Sequence, residues 1–209
     1  MNVEPMNWNV VVVGYWNPAI LTPAGIGRRL FGLPEGTPVL VEVPLEGLFP
    51  HRVKHDDLTV TAEMGRLVVS ADTPTYVLLD RAKEVAARAI EKLPETPLTA
   101  AGYNVRLRIG DPSDELLAAT ACEIDDLLSD AEFSIESWNT RRVLKMDDGV
   151  LNLSIEKDKD VTVELNFHRP STKPDELVTW LKRPIIEVEK TVSLVLEKVV
   201  RAPAEGIGK

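Results

Sequence analysis

Apolar residues recur along this chain in two spacings, every second position and every third or fourth, and the switches between them mark out its elements. The run Trp8 to Val13 reads as a first strand. A short helix follows over about Pro23 to Phe31, with Thr22 as its cap, Pro23 in the first helical position and Gly32 just past the end. Three β-rich segments come next, Pro38 to Val43, Leu58 to Glu63 and Arg66 to Ala71, the last two joined by a Met64-Gly65 turn. A longer helix is predicted from near Pro74 to just before Pro94, with Leu78, Ala82, Val85, Ala89 and Leu93 on one face.

The second half repeats that order. Asn104 to Ile109 is a strand, and Asp111 reads as a cap, Pro112 as the first-position proline and Asp114 as an acid in the first turn of a helix running to about Leu128. Strands return from about Glu132 to Met146, a turn falls at Asp148-Gly149, and Val150 to Glu156 pairs back before a final strand, Val161 to His168. The last helix covers about Pro174 to Val199, with Leu177, Leu181, Ile185, Val188, Val192, Leu196 and Val199 on one face, and Pro184 kinks or splits it. The expected class is α+β: tandem-duplicated β-α-β-β-β-α units, residues 1–98 and 99–200, forming one curved antiparallel sheet covered by helices on one face. Residues 201–209 read as a flexible tail. Joining the two half-sheets edge to edge removes two exposed strand edges. Two independent domains with a coincidental order are the competing reading.

The composition narrows the function more by exclusion than by indication. With 209 residues, 44% of them hydrophobic, the chain can bury a core of one large or two small domains. The net charge of −9 argues against nucleic-acid binding, which depends on a basic footprint. A single cysteine, Cys122, permits no internal disulfide. The opening residues carry an acid and no basic region, and Val10 to Val13 is too short for a signal core or membrane span. A soluble, cytoplasmic protein without membrane contact is the expectation.

Motifs that carry chemistry are weak here. Gly25 and Gly27 fall inside a helix that starts at Pro23, Leu30 stands where a third glycine of a dinucleotide fingerprint belongs, and no Lys-Ser/Thr follows. The glycines are better explained by close approach to a neighbouring backbone. His51, His55, Asp56 and Asp57 form a cluster of ligand-type residues in what reads as a loop, without a supported third partner. No Gly-x-Ser-x-Gly elbow is present, and Glu123 and Asp126 near Cys122 disfavour its thiolate. No catalytic residue, metal or cofactor is therefore assigned.

Surfaces give the remaining candidates. On the helix expected from Asp111 to Leu128, Leu117, Ala121, Ile124 and Leu128 form the core stripe, which turns Ala118, Ala119 and Cys122 to the far side. That small, partly apolar face is either simply exposed or in contact with another helix or subunit. In the last strands, Leu151, Leu153, Ile155, Val161, Val163, Leu165 and Phe167 point inward. Asn152, Ser154, Glu156, Thr162, Glu164, Asn166 and His168 point outward, with Arg106 and Arg108 beside them. This mixed-charge face suits a protein partner, a polar ligand or water.

Gly14, Asn17-Pro18 and Pro23 near the start, with Thr96-Pro97, Ala100, Gly102 and Asn104 in the middle, resemble a sporadically distributed group of uncharacterised bacterial and phage proteins. The resemblance implies a phage-defence or mobile-element setting and no catalytic residues. The element layout, apart from any residues, is similar to the TATA-binding-protein and helix-grip folds, and layout alone does not give function. Two functional readings stand. The first is a non-enzymatic interaction or self-assembly module whose partner is another protein or a second copy, with Ala118, Ala119, Cys122, Glu156, Glu164, Asn166 and His168 as its interface. The second is a small-ligand binder or enzyme with a pocket between the C-terminal helix and the sheet, lined by Tyr103, Arg106, Trp138 and Trp180.

Overall fold

Two long strands, each opening one half of the chain, lie side by side at the centre of the sheet. They are β1 (Asn2–Gly14) and β6 (Leu98–Gly110), antiparallel, with Val10 opposite Tyr103 and Val3 opposite Ile109. The protein, seen in a computed structural model that describes residues 2–44, 50–204 and 206–209, is an α+β fold on one open, curved antiparallel sheet. After β1 come α1 (Pro23–Ile26), continued by a π-type turn at Gly27–Phe31, then β2 (Leu40–Glu42), β3 (Arg52–His55), β4 (Leu58–Ala62), β5 (Arg66–Ala71) and α2 (Tyr76–Lys92). After β6 come α3 (Asp114–Thr120), α4 (Glu123–Asp130), β7 (Trp138–Met146), β8 (Gly149–Lys157), β9 (Val161–Pro170), α5 (Pro174–Leu181) and α6 (Ile185–Val195). The nine strands are ordered β2-β3-β4-β5-β1-β6-β9-β8-β7, so in each half the chain leaves the centre and returns to it strand by strand from the edge.

Local chemistry accounts for most element boundaries. Thr22 Oγ1 accepts the Gly25 N–H at 3.1 Å, Pro23 occupies the first turn, and Gly32 closes the helix with a φ of 76°. Thr75 caps α2 in the same way through the Leu78 N–H. The expected alternation in β8 and β9 holds: Leu151, Leu153, Ile155, Val161, Val163, Leu165 and Phe167 are all buried. They join Trp8, Val10 and Val12 of β1, Leu79, Ala82, Ala86 and Ala89 of α2 and Leu177 of α5 in one core that runs through both halves.

Several expectations need correction. The halves share an element order, but tandem duplication is not shown: among the described residues four strands follow β1 in its half, whereas three follow β6. The segment after His51 is not a loop but β3, and Asp56-Asp57 is a two-residue turn, with His55 paired to Leu58 and Asp56 at a φ of 49°. Only Val53 of that short strand is fully buried, too little alternation to read. The last helix is split by Pro184 as α5 and α6, and a second π-type turn, Leu196–Val200, carries the buried stripe to Val200 and leaves Val199 exposed. The tail is docked: Ala202 and Ile207 are buried, and Gly208 accepts the Tyr76 N–H at 2.8 Å beneath the Trp8 and Tyr76 rings.

Candidate functional site

The sequence-derived site residues fall into separate places. On the inner face of the sheet, Tyr103 stacks on Trp180 at 4.8 Å and on Phe167 at 4.9 Å between ring centres. Burial raises the Tyr103 phenol well above its ordinary value, with Glu187 adding to the effect. Arg106 is not with them, because even-numbered residues of β6 point to the opposite face from Tyr103 and Val105. Trp138 is also elsewhere: it lies across from Lys157 at the start of β7, whereas the row through Tyr103 runs Phe167, Leu151, Leu144. Of the four pocket residues, the fold joins two. The space they share beneath α5 and α6, bordered by Asp148, Arg183 and Glu187, amounts to only about 50 Å³. A drug-sized ligand needs roughly 300–1,000 Å³.

The outer face carries a hydrogen-bonded row of asparagines. Asn104 donates to Asn9 at 2.8 Å, Asn166 to Asn104, and Asn152 to Asn166 at 2.8 Å, while Arg141 donates to Asn152 at 3.1 Å. The four amides stand in register on β1, β6, β9 and β8. A one-residue slip of any of these strands would break the row, so it adds to the register already set by the buried face. Asn9 was not singled out from the sequence, and Asn104 only for the resemblance; the signal for the row was asparagine at outward positions of successive strands. Glu164 lies across from Arg106 on the same face, and Arg108 pairs with Glu4 through Nε at 3.0 Å. Glu156, Glu164, Asn166 and His168 are thus brought to one surface that carries both signs of charge.

Ala118, Ala119 and Cys122 are not on that surface, and the single helix expected to carry them is two. The cap of α3 is Ser113, through the Leu116 N–H, and not Asp111, which has a φ of 52° outside the helix; Leu116 is fully buried. The helix ends at Thr120, whose hydroxyl bonds back to the Leu116 and Leu117 carbonyls. Ala121 and Cys122 are extended, and a new helix starts with the Asp125 carboxylate accepting the Cys122 N–H at 2.9 Å. Cys122 therefore stands at an exposed junction, where Ala118 and Ala119 are exposed too. Of the expected core stripe, Leu117 packs half-buried against the core, but Ala121 is exposed and Ile124 is 58% exposed, and the neighbouring Leu127 is 61% exposed. Leu128 is partly open as well, and beyond the helix Phe133 is 64% exposed, with Ile135 near it in sequence also open.

Beside this arm in the chain is an uncovered sheet edge. Among the described residues strand β7 pairs only with β8, and its middle residues Arg141, Arg142, Val143, Leu144 and Lys145 are exposed. Arg142 and Leu144 lie across from buried Leu153 and Leu151, on the helix-covered side.

The remaining candidates are accounted for locally. The opening glycines serve packing: a Cβ on Gly25 would lie 2.1 Å from the Ile20 carbonyl oxygen and one on Gly27 would lie 3.3 Å from Val39. An open cleft of about 460 Å³ lies beside them, bordered by Ile20, Arg28, Arg29 and Leu33. The His55 ring packs 5.3 Å from Phe31, and among the described residues no group of three His, Cys, Asp or Glu side chains gathers to hold a metal. Among the same residues no helix is long and apolar enough to cross a membrane. Compared with protein-family models and with curated proteins, the chain matches none.

Proposed function

We propose that this chain is a protein-interaction or self-assembly module, without catalytic chemistry of its own, whose partner is another protein or a second copy. The observation that carries this reading is α4, a helix that leaves its apolar face in solvent. An isolated helix of this length is marginal in water, because nucleation costs more than a few backbone hydrogen bonds return. A helix with Ile124 and Leu127 more than half exposed gains stability by burying them. The helix-grip alternative loses support where Tyr103, Phe167 and Trp180 fill the space between sheet and helices. The phage-defence or mobile-element setting rests on the two short sequence patches alone.

Hydrogen exchange of residues 123–130 tests the reading. In dilute solution, where the chain is monomeric, these amides are expected to exchange nearly as fast as an unstructured peptide, and to gain protection in the assembled form. Strong protection in the dilute monomer would mean that the chain covers its own helix, and the reading would fall.

A further inference from the structure

Charge divides the arm and the edge as sharply as any feature of this molecule. From residue 111 to residue 140 the chain holds nine acidic residues and no Lys or Arg, and from Thr140 through Met146 it holds Arg141, Arg142 and Lys145 and no acid. Among the described residues no ion pair engages Glu123, Asp126, Asp130, Glu132 or Glu136 of the arm. The same holds for Arg141, Arg142 and Lys145. Arg142 gives one N–H to the Arg141 carbonyl, and Arg141 gives one to Asn152.

Each surface also carries exposed apolar residues. The arm offers Ile124, Leu127 and Leu128, and the edge offers Val143 and Leu144. Both stay exposed within one chain, so the contact they are suited to make is not made there.

We infer that two copies of this chain associate by reciprocal exchange, α4 of each seating its apolar face on β7 of the other with its carboxylates against Arg141, Arg142 and Lys145. This rests on the interaction reading above and names the partner. An acidic apolar helix and a basic apolar strand on the same chain are self-complementary, which is the condition for a closed twofold dimer. The twofold forms the contact twice, so each needs to bury only roughly half of the 1,200–2,000 Å² typical of a stable interface. The same basic residues disfavour the simpler dimer in which two β7 edges pair directly, because that brings like charges together. Because Arg142 and Leu144 belong to the helix-covered row of β7 and Arg141, Val143 and Lys145 to the opposite row, the helix lies along the open edge, where it meets both rows.

A charge-reversal pair tests this. In E123K/D126K the arm is made basic while β7 is unchanged; in R141E/R142E the edge is made acidic while α4 is unchanged. All four positions are exposed, and circular dichroism checks that the variants fold. Wild-type protein is expected to sediment as a dimer that dissociates at high salt, and each variant alone as a monomer. An equimolar mixture is expected to give a heterodimer, since both of its contacts are then between opposite charges. Labelling of Cys122 by a thiol reagent, fast in either variant, is expected to slow in the mixture. A wild-type chain that stays monomeric to roughly 100 µM, a dimer that neither variant disturbs, or a mixture that stays monomeric would overturn the proposal. A monomer whose α4 amides exchange freely would leave the interaction reading standing, whereas protected α4 amides in a monomer would remove both.

Discussion

Helix α1 with its π-type turn, and the pair α3 and α4, hold the same place in the element order, each following the central strand of its half. Both begin with a hydroxyl cap, Thr22 in one and Ser113 in the other. Their fates differ. Ile26 and Leu30 are fully buried, and Arg88 of α2 donates to the Leu30 carbonyl at 2.9 Å. In the other pair Leu116 is buried and Leu117 packs half-buried against the core, while α4 projects with its leucines in solvent. Caps and periodicity specify that a segment is helical; they do not specify what it packs against.

The largest effect that sharpens this contrast is a pair of truncations. Leu30→Ala is expected to cost about 2–5 kcal/mol in urea unfolding, the range for emptying a filled core site. Leu127→Ala, measured in dilute monomer, is expected to stay within about 0.5 kcal/mol, as for an exposed position. Equal losses would mean that α4 is docked after all.

A second comparison sets one lysine against another. Lys83 of α2 is 1% exposed, and its ammonium donates to Asp80 at 3.0 Å and to the Arg183 carbonyl at 2.6 Å, tying the first long helix to the corner between α5 and α6. Removing it leaves a carbonyl and a carboxylate short of a partner, and Lys83→Ala is expected to cost about 2 kcal/mol. Lys145→Ala on the open edge should leave the unfolding midpoint of the monomer unchanged.

The smallest effect appears at alkaline pH. Burial raises the Tyr103 phenol above the ordinary tyrosine value of about 10, and Tyr76 is shifted the same way by its own burial. Between the unfolded and folded values the unfolded chain has lost protons that the folded chain keeps, so unfolding gains as pH rises. The contribution is full below about pH 10 and is lost above it. Wild-type stability should therefore fall between about pH 9.5 and about pH 11.5, and the Tyr103→Phe/Tyr76→Phe variant should fall less steeply over that range. Parallel slopes in unfolding titrations would contradict the shifts.

The inner strand rows of β8 and β9 were legible because period-two alternation with one dry face leaves one workable register. So were Thr22, Pro23 and Gly32 around the first helix, since a cap acts within four residues of itself. The pocket was legible only in part. Tyr103 and Trp180 belong to elements whose apolar faces must meet, whereas Arg106 belongs on the outward face, where the same alternation also placed it beside Glu164, and not in the pocket. Trp138 was misplaced because nothing in its neighbours states how far along the sheet β7 is shifted.

Local sequence, then, determined most strands and helices, though not β3 or the break between α3 and α4, and it determined where Thr22 starts the first helix and that the sheet has a dry and a wet side. Those outcomes rest on torsions, caps and spacings that act across a few residues. Tertiary structure alone decided that β1 and β6 meet at the centre, that Asn9, Asn104, Asn166 and Asn152 line up, that Tyr103, Phe167 and Trp180 close a would-be pocket, and that α4 is left without a cover. Those depend on which distant surfaces reach each other first and how much apolar area each pairing removes from water, a competition that no single segment contains.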